Sequence, residues 1–165
     1  MIKITWHEGK VPDNLPITQV YGLIFTSDGR ILVRVEKKKD KTVYSLAGGT
    51  PEDFDTDNVA TLRRELIEEI NTTIFDPILV GYQLIEGDRS YDYAQLRMAA
   101  IIDKIGPKQP DPDNGKTYDR LLTTPEKAIK LINWGDVGKK QIEQAFEIVR
   151  KHFNIAVTNE TDEYV

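Results

Sequence analysis

The sequence contains no cysteine and only two histidines, and these absences exclude several kinds of chemistry. Without cysteine the chain cannot form disulfides, thiolate nucleophiles or cysteine-ligated metal sites. His7 and His152 lie near opposite ends of the chain, and neither has a second histidine at the spacing of a metal site. No apolar run approaches the roughly 18 residues of a membrane-spanning helix, and the first residues lack the apolar segment of a secretory signal. We therefore expect a cytoplasmic protein with no membrane partner.

Charge is unevenly distributed along the chain. The 165 residues carry a net charge of −5, and a chain of this length is typical of one domain. A mildly acidic chain without a basic stripe is not typical of a protein that binds bulk nucleic acid. Seven carboxylates and two arginines fall within residues 52–69, so this window alone accounts for the whole net charge. The residues of that window are therefore the first candidates for a functional site.

The order of predicted elements indicates an α/β protein with a mixed β-sheet and helices packed on it. Apolar and β-branched runs predict five strands, over residues 18–26, 31–36, 42–47, 78–86 and 93–103. Helical spacing predicts helices over residues 57–70 and 136–153, and Thr124-Pro125 predicts the start of a short helix between them. We expect one domain over residues 1–155, followed by an acidic, flexible tail over residues 156–165.

The first residues predict an N-terminal extension with an edge strand. Residues 1–16 precede the first strong strand, and residues 1–8 alternate in polarity. Since an edge strand can pair with a second copy of itself, we expect a homodimer.

Three glutamates of the helix predicted over residues 57–70 lie close together. Glu65, Glu68 and Glu69 share an arc of about 100° on the helical wheel, beside an apolar face. Like charges at this spacing weaken a helix, and a divalent cation would neutralise them. Taken alone, the cluster is more typical of a solvated acidic face, because glutamate-rich helices are common. The pair Gly48-Gly49 before it fits either a simple turn or a close approach of backbone to a ligand.

Together these residues resemble the Nudix box, the signature of the Nudix hydrolase family, which reads G-x5-E-x7-R-E-U-x-E-E-x-G-U. Residues 49–72 contain an intact core, Arg64-Glu65-Leu66-Ile67-Glu68-Glu69. The box departs from the pattern in four ways. Asp55 replaces the first glutamate and the spacer after it is one residue longer, while Asn71 replaces the closing glycine and Thr72 the final aliphatic residue. After glycine, asparagine is the residue that best ends a helix in the left-handed conformation. Ile74 is expected to take the packing role of the aliphatic residue that Thr72 replaces.

The resemblance implies a fold, an activity and a site. The fold would be the family's α/β/α sandwich, with the box helix packed on the mixed sheet. The activity would be hydrolysis of a pyrophosphate bond in a small nucleoside diphosphate-linked substrate, using Mg²⁺ or Mn²⁺. Glu65, Glu68, Glu69 and the carbonyl oxygen of Gly48 would bind the metal, and Arg64 would orient the carboxylates.

The sequence offers several candidates for the proton acceptor and for the substrate contacts. Glu68 and Glu69 are candidate catalytic bases within the box, and the acidic residues near the later strands are candidates outside it, namely Glu86, Asp88 and Asp92. Arg34, Arg97 and Glu52 are candidate substrate-binding residues. Four aromatic residues could stack on a base or simply pack in the core: Tyr82, Tyr91, Tyr93 and Trp134.

Three functions remain open from the sequence. The first is the metal-dependent hydrolase, and the second is a non-catalytic Nudix-like module that binds a nucleotide or regulates a partner. The third is an acidic scaffold protein without metal dependence. Retention of all three core glutamates favours the enzyme.

Overall fold

The computed structural model describes residues 1–165 and contains ten strands and three helices. The strands are β1 (Lys3–Glu8), β2 (Ile17–Phe25), β3 (Ile31–Lys37), β4 (Thr42–Ser45), β5 (Ala47–Gly49), β6 (Thr72–Ile74), β7 (Ile78–Glu86), β8 (Tyr93–Ile105), β9 (Asp119–Thr123) and β10 (Glu163–Tyr164). The helices are α1 (Asn58–Ile70), α2 (Pro125–Ile132) and α3 (Gly135–Phe153). All three predicted helices are confirmed, as are the strands β2, β3, β7 and β8.

The sheet is mixed, as predicted. Its strand order is β1-β7-β8-β2-β3-β9-β10, and β4, β5 and β6 pair with β3, β2 and β8 respectively. The β2–β8 pair is parallel, while the other pairs are antiparallel. The single strand predicted over residues 42–47 is divided at buried Leu46, because β4 pairs with β3 and β5 pairs with β2. This division brings the glycine pair beside the centre of the sheet.

Helices cover both faces of the sheet. Val20 and Ile24 of β2 belong to the core beneath α1, whereas Leu23 and Phe25 belong to the core beneath α2 and α3. Because side chains of a strand alternate between the faces, the apolar run of β2 serves both cores. The expected α/β/α sandwich is confirmed.

The box helix α1 has a defined start and end. Asp57 is its N-cap, and its side chain accepts a hydrogen bond from the Ala60 amide at 2.7 Å. Leu62 and Leu66 are fully buried against the sheet. Asn71 ends the helix in the left-handed conformation with φ of 45°. The caps and the apolar stripe fix the rotation of α1, and therefore the direction of its glutamates.

The N-terminal strand β1 lies at the edge of the sheet, where it pairs with β7 from Lys3↔Glu86 to Glu8↔Gly81. Its other edge is unpaired within the chain, and Ile2 and Ile4 are exposed beside it. The homodimer remains a prediction. None of the helices is both long enough and apolar enough for a membrane span.

The acidic tail contacts the body of the protein, which differs from the flexible tail expected from its composition. Glu163 and Tyr164 pair with β9 as β10. The side chain of Arg30 donates to the Thr161 carbonyl at 3.1 Å and to Glu163 at 3.0 Å, and Arg120 donates to the Val165 carbonyl at 3.0 Å. These basic partners lie more than 40 residues earlier in the chain, so the local composition of the tail could not reveal them.

Candidate active site

Glu69 is held at the boundary between α1 and the sheet. One of its carboxylate oxygens accepts a hydrogen bond from the Gly48 amide at 2.7 Å, and the other accepts one from Arg34 of β3. The carboxylate is 7% exposed, and its burial raises its pKa, although the charge of Arg34 opposes this rise. Glu69 therefore joins α1, β3 and β5 at one point.

Glu65 lies directly against the glycine pair. A Cβ atom added to Gly49 would lie 2.4 Å from the Glu65 carboxyl carbon, and one added to Gly48 would lie 2.2 Å from the Val20 carbonyl oxygen. The site consequently requires residues without side chains here. Burial raises the pKa of Glu65 to about 7, with Arg64 opposing the rise and the nearby Glu69 and Glu68 charges adding to it.

Arg64 organises the carboxylates around it. Its guanidinium donates to Asp55 at 2.9 and 3.1 Å, to Glu65 at 3.0 Å and to Glu68 at 3.1 Å. It also donates to the Thr50 carbonyl at 3.0 Å. The hydrogen bond from Arg64, together with one from the Glu52 amide, holds the pKa of Asp55 well below its usual range. Arg64 therefore fastens the loop after the glycine pair to the box helix.

A third carboxylate, which the sequence reasoning missed, reaches the glutamates from the loop before β9. One oxygen each from Glu65, Glu68 and Asp113 lie within 4.8 Å of one another. Asp111, which is buried, accepts a hydrogen bond from the Asp113 amide at 2.9 Å and thereby supports this turn. The sequence of the proline-rich loop gave no signal of the contact, because Asp113 lies more than 40 residues after Glu65 and Glu68.

The donor set fits a hard divalent cation. Three carboxylates from two separate elements converge. Burial raises the pKa of both Glu65 and Glu68, and the charges of neighbouring carboxylates add to the rise. Carboxylate oxygens are the ligands that Mg²⁺ and Mn²⁺ prefer, and a bound cation would relieve their mutual repulsion. Gly48 lies beside this cluster, but its amide is committed to Glu69.

The three predicted substrate-binding residues lie in different places. Arg34 adjoins the cluster, stacks over Tyr118 with its guanidinium carbon 4.4 Å from the ring centre, and has a buried Nε without a hydrogen-bond partner. Arg97 lies on the other face of the sheet from α1, fully buried beneath α3. Glu52 is exposed, and its backbone amide contributes to the turn closed by Asp55.

The three acids that were predicted as candidate bases outside the box, Glu86, Asp88 and Asp92, do not belong to the cluster. Glu86 pairs with Lys3 at 3.7 Å, and Asp88 accepts a hydrogen bond from Tyr93 at 2.5 Å, both near the β7–β8 turn with Asp92. Among the aromatic candidates, only Trp134 lines a cavity with Arg97. Tyr82 stacks on His7, and Tyr91 contacts Tyr93.

No family model and no curated protein matches this sequence. Solved structures do match. A Nudix hydrolase from Nitrosomonas europaea superposes with a TM-score of 0.59 at 14% identity, over 78% of this chain and 87% of that one. The chain has the Nudix fold.

Two further Nudix-fold matches are named by their activities. The pyrophosphohydrolase BsRppH from Bacillus subtilis has a TM-score of 0.52 at 17% identity, over 64% of this chain. A UDP-X diphosphatase has a TM-score of 0.57 at 16% identity, over 86% of this chain. The chain spans 63% and 66% of the lengths of these two proteins.

Within the Nudix fold, the departures of the box have structural explanations. Asp55 forms a two-pronged ion pair with Arg64, and the longer spacer supplies Asp57 as the N-cap of α1. Asn71 adopts the left-handed stop, while Thr72 is buried with its hydroxyl donating to the Ile70 carbonyl at 3.0 Å. Ile74 is 4% exposed in the core under α1 and fills the apolar position, as expected.

Proposed function

We propose that this protein is a metal-dependent hydrolase that cleaves a pyrophosphate bond in a nucleoside diphosphate-linked substrate. The observation that carries the proposal is the convergence of Glu65, Glu68 and Asp113 within 4.8 Å. Arg64 and Arg34 hold the neighbouring carboxylates in place. Pyrophosphohydrolase and diphosphatase activities are named for two proteins of the same fold.

Glu65, Glu68 and Asp113 would hold Mg²⁺ or Mn²⁺, with the Gly48 carbonyl as a further proposed ligand. When bound, the metal would neutralise phosphate charge and lower the pKa of a coordinated water. Both oxygens of Glu69 accept hydrogen bonds, one from Gly48 and one from Arg34. Glu69 is therefore proposed to hold β3 and β5 in position and not to accept a proton. Compared with Glu69, Glu68 is more exposed, at 22% against 7% of the side chain, and one of its oxygens accepts no hydrogen bond. We therefore assign proton acceptance from water to Glu68.

Arg34 is the proposed phosphate contact. Its Nη1 donates to Glu69, while its buried Nε has no partner in the protein. The Arg34 side chain is 19% exposed, and its Nη2 donates to no protein atom, so a phosphate oxygen of the substrate would accept a hydrogen bond from this outer nitrogen. Glu52, exposed at the rim of the same loop, remains a predicted substrate contact.

The test is a hydrolysis assay over a panel of nucleoside diphosphate-linked compounds with Mg²⁺ or Mn²⁺. We expect metal-dependent release of phosphate-containing products, with kcat/KM reduced by about 100-fold or more in Glu68→Gln and Glu69→Gln. Glu143→Gln is the matched control, because Glu143 is exposed on α3 and only pairs with Lys139 at 3.7 Å. Equal activity in all three variants would contradict the assignment of the site.

Two other outcomes would replace the proposal with the alternatives drawn from the sequence. A ligand-induced rise in melting temperature without turnover would identify a nucleotide-binding module. No response to metal or nucleotide would identify a scaffold protein. The cytoplasmic location and the homodimer remain predictions, which fractionation and light scattering would test.

A further inference from the structure

A cavity of about 390 Å³ opens on the α3 face of the sheet, close to the carboxylate cluster. Tyr21 and Arg97 are neighbours on its wall, since they are register partners on β2 and β8. Tyr21 is also the register partner of Gly48 on β5. The cavity therefore begins one strand away from the glycine pair that contacts Glu65 and Glu69, and its volume falls within the range of small-molecule sites.

Arg97 is a buried cation without a carboxylate partner. The residue is 1% exposed, and its burial lowers its pKa to about 10. Its guanidinium carbon lies 4.7 Å from the centre of the Tyr21 ring and 5.8 Å from that of Trp134. Burying a charge without an ion-pair partner is unfavourable unless other groups compensate. No structural ion pair explains this arginine.

Four glutamine side chains form one hydrogen-bonded chain from Arg97 to Tyr21: Gln141, Gln83, Gln95 and Gln19. Arg97 Nε donates to the Gln141 carbonyl at 2.8 Å, and the Gln141 amide donates to Gln83 at 2.7 Å. The Gln83 amide then donates to Gln95 at 3.0 Å, and the Gln95 amide donates to Gln19 at 2.7 Å. Tyr21 donates to the same Gln19 oxygen at 3.1 Å.

Arg97 determines the direction of this chain. A guanidinium can only donate, so the Gln141 atom that faces it must be the carbonyl oxygen. The amide end of Gln141 must then donate to Gln83, and the same constraint passes along to Gln19. Each of the four glutamine carbonyls already accepts a hydrogen bond from another member of this network, so the groups that remain for a ligand are N–H donors.

The groups left unsatisfied are also donors. Arg97 Nη2 donates to no protein atom, and Nη1 makes only long contacts of 3.4 and 3.5 Å to the backbone carbonyls of Gln95 and Leu96. The Gln19 amide nitrogen has no protein acceptor either. A ligand that fits this wall presents hydrogen-bond acceptors, whereas a ligand amino group would meet N–H groups.

We infer that this cavity binds the nucleobase of the substrate and selects bases with a ring carbonyl over bases with an amino group at the same position. The inference rests on the proposed function for the ligand being a nucleotide. Arginine N–H groups match the adjacent acceptors of a 6-oxopurine and equally meet the carbonyl of a 4-oxopyrimidine. Tyr21 and Trp134 supply flat aromatic surfaces, and the indole is 37% exposed. The substrate class is therefore an oxo-base nucleoside diphosphate derivative.

The test uses nucleotide pairs that differ only at this position. Binding of inosine and adenosine monophosphate is compared by calorimetry, and uridine and cytidine monophosphate form the second pair. We expect the oxo member of each pair to bind about 10-fold more tightly or better. In the hydrolysis assay, the same preference is expected in kcat/KM for the diphosphate-linked compounds.

Two variants connect the preference to the wall. Arg97→Lys keeps the charge but loses the planar set of donors, so the preference should fall by about 5-fold or more. Because a buried substitution can impair folding, Gln19→Glu provides a second variant at the partly exposed end of the chain. It replaces the free amide N–H groups with an acceptor and should shift the preference toward amino bases. Melting curves report whether each variant folds.

The outcomes separate this inference from the proposed function. Equal affinity for both members of each pair in the wild-type protein overturns the inference, even if hydrolysis proceeds. If Arg97→Lys weakened the binding of both members of each pair equally, Arg97 would be assigned to a phosphate contact, and this result would also overturn the inference. Oxo-base preference without any hydrolysis supports the inference and refutes the proposed function.

Discussion

At the scale of residues, Arg64 connects more of the site than any carboxylate does. It donates to Asp55, Glu65 and Glu68 and to the Thr50 carbonyl. Hydrogen bonding to Asp55 raises its own pKa further, so its charge is constant over the working range of an enzyme. The shorter Asp55 still forms both prongs of the ion pair. The unusual loop is therefore compatible with a formed site.

Asp113 is the residue whose contribution to metal binding is most open to measurement. Asp113→Asn removes one negative charge from the group formed with Glu65 and Glu68. Metal affinity depends on the number of charged ligands, so the Mg²⁺ concentration for half-maximal activity should rise by about 10-fold or more. Titration of activity with Mg²⁺ and Mn²⁺ measures this change.

Asp13→Asn serves as the control for Asp113. Asp13 is an exposed loop residue that pairs only with Lys10, at 3.8 Å. Its substitution should leave the metal titration unchanged. An unchanged titration in Asp113→Asn as well would show that the 106–118 loop takes no part in the metal site.

At the scale of elements, the parts that depend on local sequence are the parts that could be predicted. The start of α1 at Asp57, its end at Asn71 and its glutamate face all follow from short spacings. The proximity of Asp113 to Glu65 depends on how a long loop returns over the helix. Strand β9 was missed because its five residues form a strand through pairing with the distant strands β3 and β10.

The end of α1 gives a prediction at this scale. Asn71 has φ of 45°, and its side chain donates to the Pro107 carbonyl at 2.8 Å. Asn71→Gly introduces the glycine of the Nudix box pattern, and the relieved backbone strain offsets the lost hydrogen bond, so the melting temperature should change little. Asn71→Ala keeps the strain and loses the bond, so the free energy of unfolding should fall by about 1 kcal/mol. Urea denaturation of both variants distinguishes them, and equal destabilisation would contradict this account.

At the scale of the whole molecule, opposite charges that are distant in sequence meet in the fold. The acidic window 52–69 receives Arg34 from β3, and the acidic tail receives Arg30 and Lys127. Neither arrangement is visible from composition, because each depends on long-range pairing. The net charge of −5 therefore reflects local carboxylate clusters whose neighbours already include cations.

The tail gives the prediction at this scale. Removing residues 158–165 deprives Arg30 of its partners Thr161 and Glu163. It also deprives Arg120 of the Val165 carbonyl. Arg120 stabilises the end of α1 as well, because it donates to the Ile70 carbonyl at 2.8 Å. Both arginines are buried. Since leaving buried donors unpaired is costly, the free energy of unfolding should fall by about 2 kcal/mol or more. In the chain that retains residues 158–165, Glu163→Gln should reproduce part of the loss, whereas Glu160→Gln, which removes no ion pair, should not.

The chains with and without residues 158–165 should differ in stability, and the pH dependence of this difference tests whether Asp28 contributes to it. Burial alone would raise the pKa of Asp28, but hydrogen bonds from Thr26, Arg30 and Asn159 hold it below its ordinary value. A carboxyl with a lowered folded-state pKa contributes its stability above its unfolded pKa, near 4, and loses it as the pH falls through the folded value. Removing the tail removes Asn159 and weakens this contribution. The difference between the urea midpoints of the two chains should therefore be largest at neutral pH and become smaller below about pH 4, and a constant difference would exclude Asp28 as a cause.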